Sequence, residues 1–549
     1  MPVSNLQHHF NSTKDLKQAT QEYFEKELGF NFENLKTTDQ PVSIEVLGHK
    51  YNLNVVFQLT DEEINNPPKV DGVDPGHQLE TITLSKYLVC SYDFGNLDKI
   101  PSKSLLASFN RQLSAQIDSK SGMPNLIVFR YTVNGKIYLT FSVSELRDKP
   151  NQRTGKYIVS KVILLKDVDI FDTHQAHIRI LSELNINKQN LKYRDFNQLH
   201  EHWLKTLNIK ELSDKFYKQI KIRYDDLVEN IVLPPQNSPS LDIKKDFALR
   251  LVGRLIFCWF LKAKGWIPST LLSFEAINQN YYRQILEPLF FESLNKDPKD
   301  RDFDEKYKFE SVPYLNGGLF EAKTDDYYKP NQLDPIDRQN ILLKIPNTQI
   351  QDIFSLFDEY YFTIDENTST EQEIGVDPEM MGRIFENFIL NRSSTGSFYT
   401  PREIVDYMVT SSLKEVLKTK EIPSNVVENL FDDKYWNATE AFRKDFGHKI
   451  VASLKSLKIL DPACGSGAFP MGVLQKLTEI IHHLEPEKSL YEIKLDILQN
   501  CIYGVDILPI ATEISRLRCW LSLVVDEDKN DPKPLPNLEF KFVTANSLV

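Results

Sequence analysis

The sequence predicts a multidomain protein in three parts: a β-rich α+β domain over residues 1–170, a helical connector domain over 171–390, and an α/β domain with a parallel sheet over 391–549. Three observations carry this. The C-terminal part alternates short apolar runs with helical patterns, the mark of βαβ units. The N-terminal part holds strand-like runs on either side of Asn134-Gly135, a strong type I′ hairpin signal. Between them, Phe247 to Lys264 is apolar almost all round at helical length, as a buried helix would be.

Taken in order, residues 1–40 read as helical and polar. Tyr51 to Gln58 reads as a strand, Asn125 to Thr132 and Lys136 to Val143 as the two arms of the hairpin, and Tyr157 to Leu165 as a further strand. Leu233 to Ser240, rich in Pro and Asn, reads as a loop inside the helical region, and so does Pro313 to Phe320. At Gly375 to Glu386, Val376, Met380, Ile384 and Phe385 give an apolar helical face after an Asp377-Pro378 start.

The most informative run is Asp461-Pro462-Ala463-Cys464-Gly465-Ser466-Gly467-Ala468-Phe469. It follows the short run Leu457 to Leu460 and opens a helical pattern carrying Val473, Leu474, Leu477, Ile480, Ile481 and Leu484. That is strand, glycine turn, helix. Small residues at 463 to 468 let a ligand approach the backbone closely. The next strand, Ile502 to Ile507, ends in Asp506, an acid placed to take both hydroxyls of a ribose. Pro509 then opens a helix with Ile510, Ile514, Leu517, Leu521 and Val524 on one face. Phe540 to Leu548 reads as a third strand ending at Asn546. Upstream, Gly396-Ser-Phe-Tyr399-Thr400-Pro401 precedes a helix with Ile404, Val405, Met408 and Val409. Thr400 reads as its N-cap and Pro401 as its first residue. A dinucleotide fingerprint would need glycine at 470, where Pro470 stands. A phosphate loop would need Gly-Lys-Ser/Thr where Gly467-Ala468-Phe469 stands. Cys464 has no histidine partner in a recognisable context.

These residues resemble the adenine-N6 DNA methyltransferases of the Eco57I-like, type IIG branch found in fused restriction–modification enzymes. The resemblance covers residues 240–549 well and the first 240 weakly. It implies a Rossmann-like S-adenosylmethionine-dependent methyltransferase domain over 391–549. It implies that Asp461, Pro462, Ala463, Cys464, Gly465 and Gly467 hold the methionine part of S-adenosylmethionine, with Cys464 as a small packing residue. Asp506 would bind the ribose, Ile507 beside it would also contact the cofactor, Asn546 would lie near the cofactor's adenine ring, and Tyr399, Thr400 and Pro401 would fold over the cofactor. Many relatives carry Asp at the position of Asn546. The family's catalytic element, Asn/Asp-Pro-Pro-Tyr/Phe, holds a flipped adenine by its amine and stacks on the base. It does not occur here. Asn66-Pro67-Pro68 is followed by Lys69 and lies in a polar, Pro-rich stretch. The chain is therefore expected to be truncated before that element, or to be the first half of a split enzyme, inactive alone. The Pro313–Phe320 loop and the Gly375–Glu386 segment also resemble this branch and are expected to brace the pocket by core packing.

Double-stranded DNA is the implied partner, held mainly by regions this chain lacks, with a companion chain supplying the catalytic and target-recognition parts. Net charge of −12 argues against tight nonspecific DNA binding by these residues alone. The basic run Lys215 to Arg223 reads first as a solvated helix face. Fused relatives often carry a nuclease at the N-terminus, and one over 1–170 would need paired carboxylates for Mg²⁺. The hairpin arms hold none. Glu145 with Arg147, Asp74 and Glu80 are loose candidates only. Five cysteines, at 90, 258, 464, 501 and 519, lack metal spacing and suggest reduced thiols in a cytoplasm. Leu251 to Leu261 is too short to span a bilayer, so no membrane partner is expected. A second reading stays open: a non-catalytic S-adenosylmethionine-binding or scaffold module of a defence complex.

Overall fold

The structure is a computed structural model. It describes residues 6–11, 13–30, 39–46, 48–60, 86–117, 124–148, 157–185, 196–207, 209–234, 241–273, 280–301, 309–315, 320–328, 343–363, 366–368, 371–380, 382, 384, 400–420, 422–431, 442–527 and 535–548. Asn66 to Lys69, Asp74, Glu80, Asn316, Phe385 and Tyr399 lie outside these residues.

The chain divides into two compact units, and the division differs from the boundaries read from the sequence. One unit comprises 1–212, 359–361 and 367–375; the other comprises 213–358, 362–366 and 376–549. Helices Gln175–Glu183 and Phe196–Thr206, assigned by sequence to the middle, fall in the first unit. From residue 213 on, the helical region apart from 359–361 and 367–375 falls with the C-terminal α/β region in the second.

The first unit is built on a seven-stranded mixed sheet whose spatial order follows the chain: β1 (Val42–Val46), β2 (His49–Thr60), β3 (Lys86–Leu97), β4 (Asn125–Val133), β5 (Lys136–Asp148), β6 (Tyr157–Asp169) and β7 (Glu371–Glu373). The expected hairpin is present. β4 and β5 pair antiparallel, and Asn134 and Gly135 both take positive φ, 52° and 76°, as a type I′ turn requires. β3 and β4 are parallel, so a crossover must join them. Helix Lys103–Ile117 is that crossover, and it buries Leu106, Phe109 and Leu113 on the sheet with Ile44, Leu53 and Phe129. Helix Leu16–Lys26 contributes Tyr23 and Phe24, whose rings meet Phe141 and Phe57 at 6.2 and 5.5 Å. Burying the Phe24 ring stabilises the fold by roughly 1.5–3 kcal/mol relative to exposure, whereas the gain from the Tyr23 ring is reduced by its buried hydroxyl, which has no hydrogen-bond partner among the described residues. β7 joins the sheet edge parallel to β6 from some two hundred residues downstream.

In the second unit, helix Leu241–Lys264 is buried from Phe247 to Leu261 except at Arg250, as its composition predicts. Its one buried cation, Arg254, is matched by Asp326 at 2.9 and 2.8 Å. The C-terminal region runs β8 (Ile459–Asp461), helix Ala468–Leu484, helix Leu490–Asn500, β9 (Ile502–Asp506), helix Pro509–Asp526 and β10 (Phe542–Thr544). All three strands are parallel, in the order β10-β9-β8. The six apolar residues expected on one face of helix Ala468–Leu484 are all buried. Among the described residues, no helix is long and apolar enough to cross a membrane.

Candidate functional site at the glycine turn

Parallel strands bring their carboxyl ends to one edge of the sheet. Asp461 ends β8 level with Gly504, and Asp506 ends β9 level with Thr544 of β10. The missing side chain at Gly504 matters: a Cβ there would lie 2.7 Å from the Phe542 ring and 3.0 Å from Cys464 Sγ. The turn leaving β8 can therefore fold down onto β9, where the Cys464 N–H donates to the Val505 carbonyl at 2.9 Å.

The two acids then organise the turn. The Ala463 N–H donates to Asp461 Oδ1 at 3.1 Å. The Gly465 N–H donates to Asp506 Oδ2, and the Leu508 N–H to Asp506 Oδ1, both at 2.9 Å. Gly465 and Gly467 take φ of +53° and +86°, a region that side chains rarely adopt. Gly467 is the N-cap of helix Ala468–Leu484, whose first-turn amides lie along this edge.

Asp461 Oδ2 is buried and has no hydrogen-bond donor among the described residues. Burial raises the Asp461 carboxyl above its ordinary value of 3.8, the Ala463 N–H opposes this, and the charge of Asp506 adds to it. A desolvated acceptor without a donor is costly in the free chain. It suits a ligand bringing an ammonium, amide or hydroxyl group.

Of the other sequence-selected residues, Pro462 and Ala463 are exposed on the turn and Ile507 is 64% exposed beside Asp506. Cys464 is buried, and burial pushes its thiol up to about 12, which disfavours the thiolate a nucleophile would need. β10 stops at Thr544, short of the expected end at Asn546, because the chain turns away there. Asn546 is exposed, and its Oδ1 accepts from the Leu548 N–H at 3.0 Å. Pro401, not Thr400, caps helix Arg402–Lys418. Its carbonyl accepts from the Ile404 and Val405 amides at 3.0 and 3.1 Å, and Thr400 sits half-buried before it. Val405 and Val409 face inward as expected; Ile404 and Met408 are about half exposed.

Sequence reasoning missed a set of buried charges behind the turn. Arg518 donates to Glu366 from Nε and Nη2 at 2.7 and 3.0 Å and to the Ser466 carbonyl at 2.8 Å. Arg402 pairs with Asp377 and Glu379. The signal was available: Thr512, Glu513, Ser515, Arg518 and Ser522 are polar positions within the apolar pattern of helix Pro509–Asp526, and all are buried. The helix is buried nearly all round, not on the single face expected.

In the first unit, Glu145 is half-buried on β5 opposite Lys161, and its carbonyl accepts from the Ser160 hydroxyl at 3.2 Å. Among the described residues, no group of three or more His, Cys, Asp or Glu is gathered to hold a metal ion. The five cysteines are buried and free.

Residues 254–371 match a family described as a domain of unknown function, DUF7814. The chain is similar to a putative type II restriction enzyme and methyltransferase of Methanocaldococcus jannaschii, 32% identical over 350 residues, covering 58% of this chain and 28% of that protein. It is similar to the type II restriction enzyme and methyltransferase RM.Eco57I of Escherichia coli, 24% identical over 53% of this chain and 28% of that protein. A shorter stretch, 14% of this chain and 6% of the relative, is 32% identical to the adenine-specific methyltransferase PglX of Streptomyces coelicolor. These likenesses support a methyltransferase family of restriction–modification enzymes. The chain spans 28% of the length of the first two relatives. Among solved structures, the cryo-EM structure of a DrdV–DNA complex covers 100% of this chain and 40% of its own, at 12% identity and a TM-score of 0.25, too low to carry an argument.

Proposed function

We propose that these residues form the S-adenosylmethionine-binding part of a site-specific adenine-N6 DNA methyltransferase in a restriction–modification or phage-defence enzyme. One observation carries this reading above others: two acids at the ends of adjacent parallel strands converge on a single glycine turn, and one presents a buried oxygen with no donor. The similarity to restriction–modification methyltransferases supports the same class.

The cofactor supplies an electrophilic methyl group on sulfur. Asp461 Oδ2 would accept from its ammonium end. Asp506 already accepts two backbone N–H groups; a carboxylate has about four lone-pair sites, so room for the two ribose hydroxyls remains. Ile507 offers an exposed apolar surface for the adenine ring, with Asn546 beside the end of β10 and Thr400 and Pro401 at the helix start. The target adenine would be held by an Asn/Asp-Pro-Pro-aromatic element supplied from outside these residues.

Calorimetric titration of S-adenosylmethionine into the chain, with Asp506→Ala as control, tests the reading. Micromolar binding that the substitution abolishes supports it. No heat and no thermal shift in the parent chain would sink it for this chain as it stands.

A further inference from the structure

Helix Pro509–Asp526 lies behind the glycine turn and reaches it twice. Ser515 Oγ donates to the Gly465 carbonyl at 3.0 Å, and Arg518 Nη1 donates to the Ser466 carbonyl at 2.8 Å. Residues three apart share a helix face, so one face holds two consecutive carbonyls of the turn. The fit is close. A Cβ on Gly467 would lie 2.9 Å from Ser515 Oγ and 3.2 Å from its Cα, and a Cβ on Gly382 would lie 2.7 Å from Ser466 Oγ.

Arg518 is buried, and burying a guanidinium is costly unless it is matched. Glu366 matches it as a two-point fork, which fixes the plane of the guanidinium and so aims Nη1 at Ser466. The neighbouring acids Asp377 and Glu379 are paired with Arg402, the residue after Pro401. The same set of charges thus also holds the start of helix Arg402–Lys418. An apolar pair could fill the same space. It could not orient two peptide planes.

We propose that Ser515 and the Glu366–Arg518 pair are positioning residues: they turn the Gly465 and Ser466 carbonyls inward and so hold the glycine turn in the shape that presents the two strand-end acids to the ligand. The ligand's identity rests on the S-adenosylmethionine reading; the pinning of the turn does not.

The test uses the whole chain with Ser515→Ala and Arg518→Lys. Ser515→Ala removes the hydrogen bond to Gly465 and a weaker contact with Cys464 Sγ without stranding a charge; Arg518→Lys keeps the charge and loses the fork. Three quantities are compared: amide hydrogen exchange at 465–469 without ligand, the Kd for S-adenosylmethionine at a temperature where all variants are folded, and Tm. Exchange at the turn is expected to rise in both. Kd is expected to rise about 5-fold in Ser515→Ala and about tenfold or more in Arg518→Lys. Faster exchange in variants of a parent chain that binds no S-adenosylmethionine would remove the cofactor reading and leave the pinning. Unchanged exchange at the turn, or faster exchange with an unchanged Kd, would overturn the positioning role. A merely structural pair would move Tm alone. Should Arg518→Lys fail to fold, Ser515→Ala decides.

Discussion

Asp461 is held in the free chain in a state that binding would relieve. One oxygen accepts from the Ala463 N–H, the other is buried without a donor among the described residues, and its carboxyl is raised above 3.8, first by burial. An acid raised in the folded state binds its proton more tightly there than in the unfolded chain. Its favourable contribution to stability is therefore present at low pH and lost as pH rises through the folded value. A cationic ligand acts oppositely, because it favours the ionised form. Asp461→Asn is thus expected to stabilise the free chain at pH 7 by about 0.5–1 kcal/mol, allowing for partial solvent screening, while weakening S-adenosylmethionine at least tenfold. In the parent chain, affinity should fall as pH falls from 7 into the raised range of Asp461. Thermal denaturation and titration at pH 5 and 7 check both; a variant no more stable at pH 7 than at pH 5 relative to its parent would refute the account. The two acids were legible because the end of a strand is a local feature. Glu366 and Arg518 were not paired in the reading because 152 positions separate them, and nothing local in a sequence says which buried polar residue will meet which.

Helix Arg402–Lys418 packs on helix Ala468–Leu484 across Gly472, and this contact decides where Thr400 and Pro401 stand. A Cβ on Gly472 would lie 2.3 Å from Val405 Cγ1 and 3.5 Å from Val409 Cγ2. Gly472→Ala should raise intrinsic helix propensity yet overpack this seam. The expected net cost is about 1–3 kcal/mol, since overpacking outweighs the gain of about 1 kcal/mol from replacing glycine. Urea denaturation should show a lower midpoint at an unchanged slope. Adding Val405→Ala should recover part of the loss, because the two substitutions touch the same space. A stabilised Gly472→Ala would mean that the helices are not in this register. Apolar spacing made the inward faces of both helices legible. It could not reveal that Val405 leaves no room for a side chain at Gly472, nor that Pro401 is the cap: Thr-Pro fits a Thr cap equally well by residue type, and backbone hydrogen bonds choose between them.

At the scale of the whole chain, the hairpin and the three parallel strands follow from local pattern, but the composition of the units does not. β7 is only three residues long, too short to show alternation, and it joins its sheet through Ile374 N–H donating to the Leu164 carbonyl at 2.9 Å. Charge is the property at this scale that sequence does fix, and it bears on DNA. Lysine and arginine number 65 against 77 acids. On the one basic run singled out, Lys221 pairs with Asp225, and Arg223 donates to Gln219 and to the Asp352 carbonyl, which leaves Lys215 and Lys218 on an exposed face. These two lysines and Arg223, whose acceptors are neutral and leave its charge intact, neutralise at most three phosphates, and affinity falls with salt at a slope of about 0.9 per phosphate neutralised. The chain alone is therefore expected to bind a 30-base-pair duplex no more tightly than about 10⁻⁴ M at physiological salt, the weak end of nonspecific binding. Its salt slope should be near or below about 3, and Lys215→Ala with Lys218→Ala should lower it by at most about 2. Fluorescence anisotropy across 50–200 mM salt measures this directly. Micromolar or tighter binding with a steep slope would show a basic groove that neither net charge nor the Lys215–Arg223 face accounts for, and the view that DNA is held mainly by other parts of the whole enzyme would have to be given up.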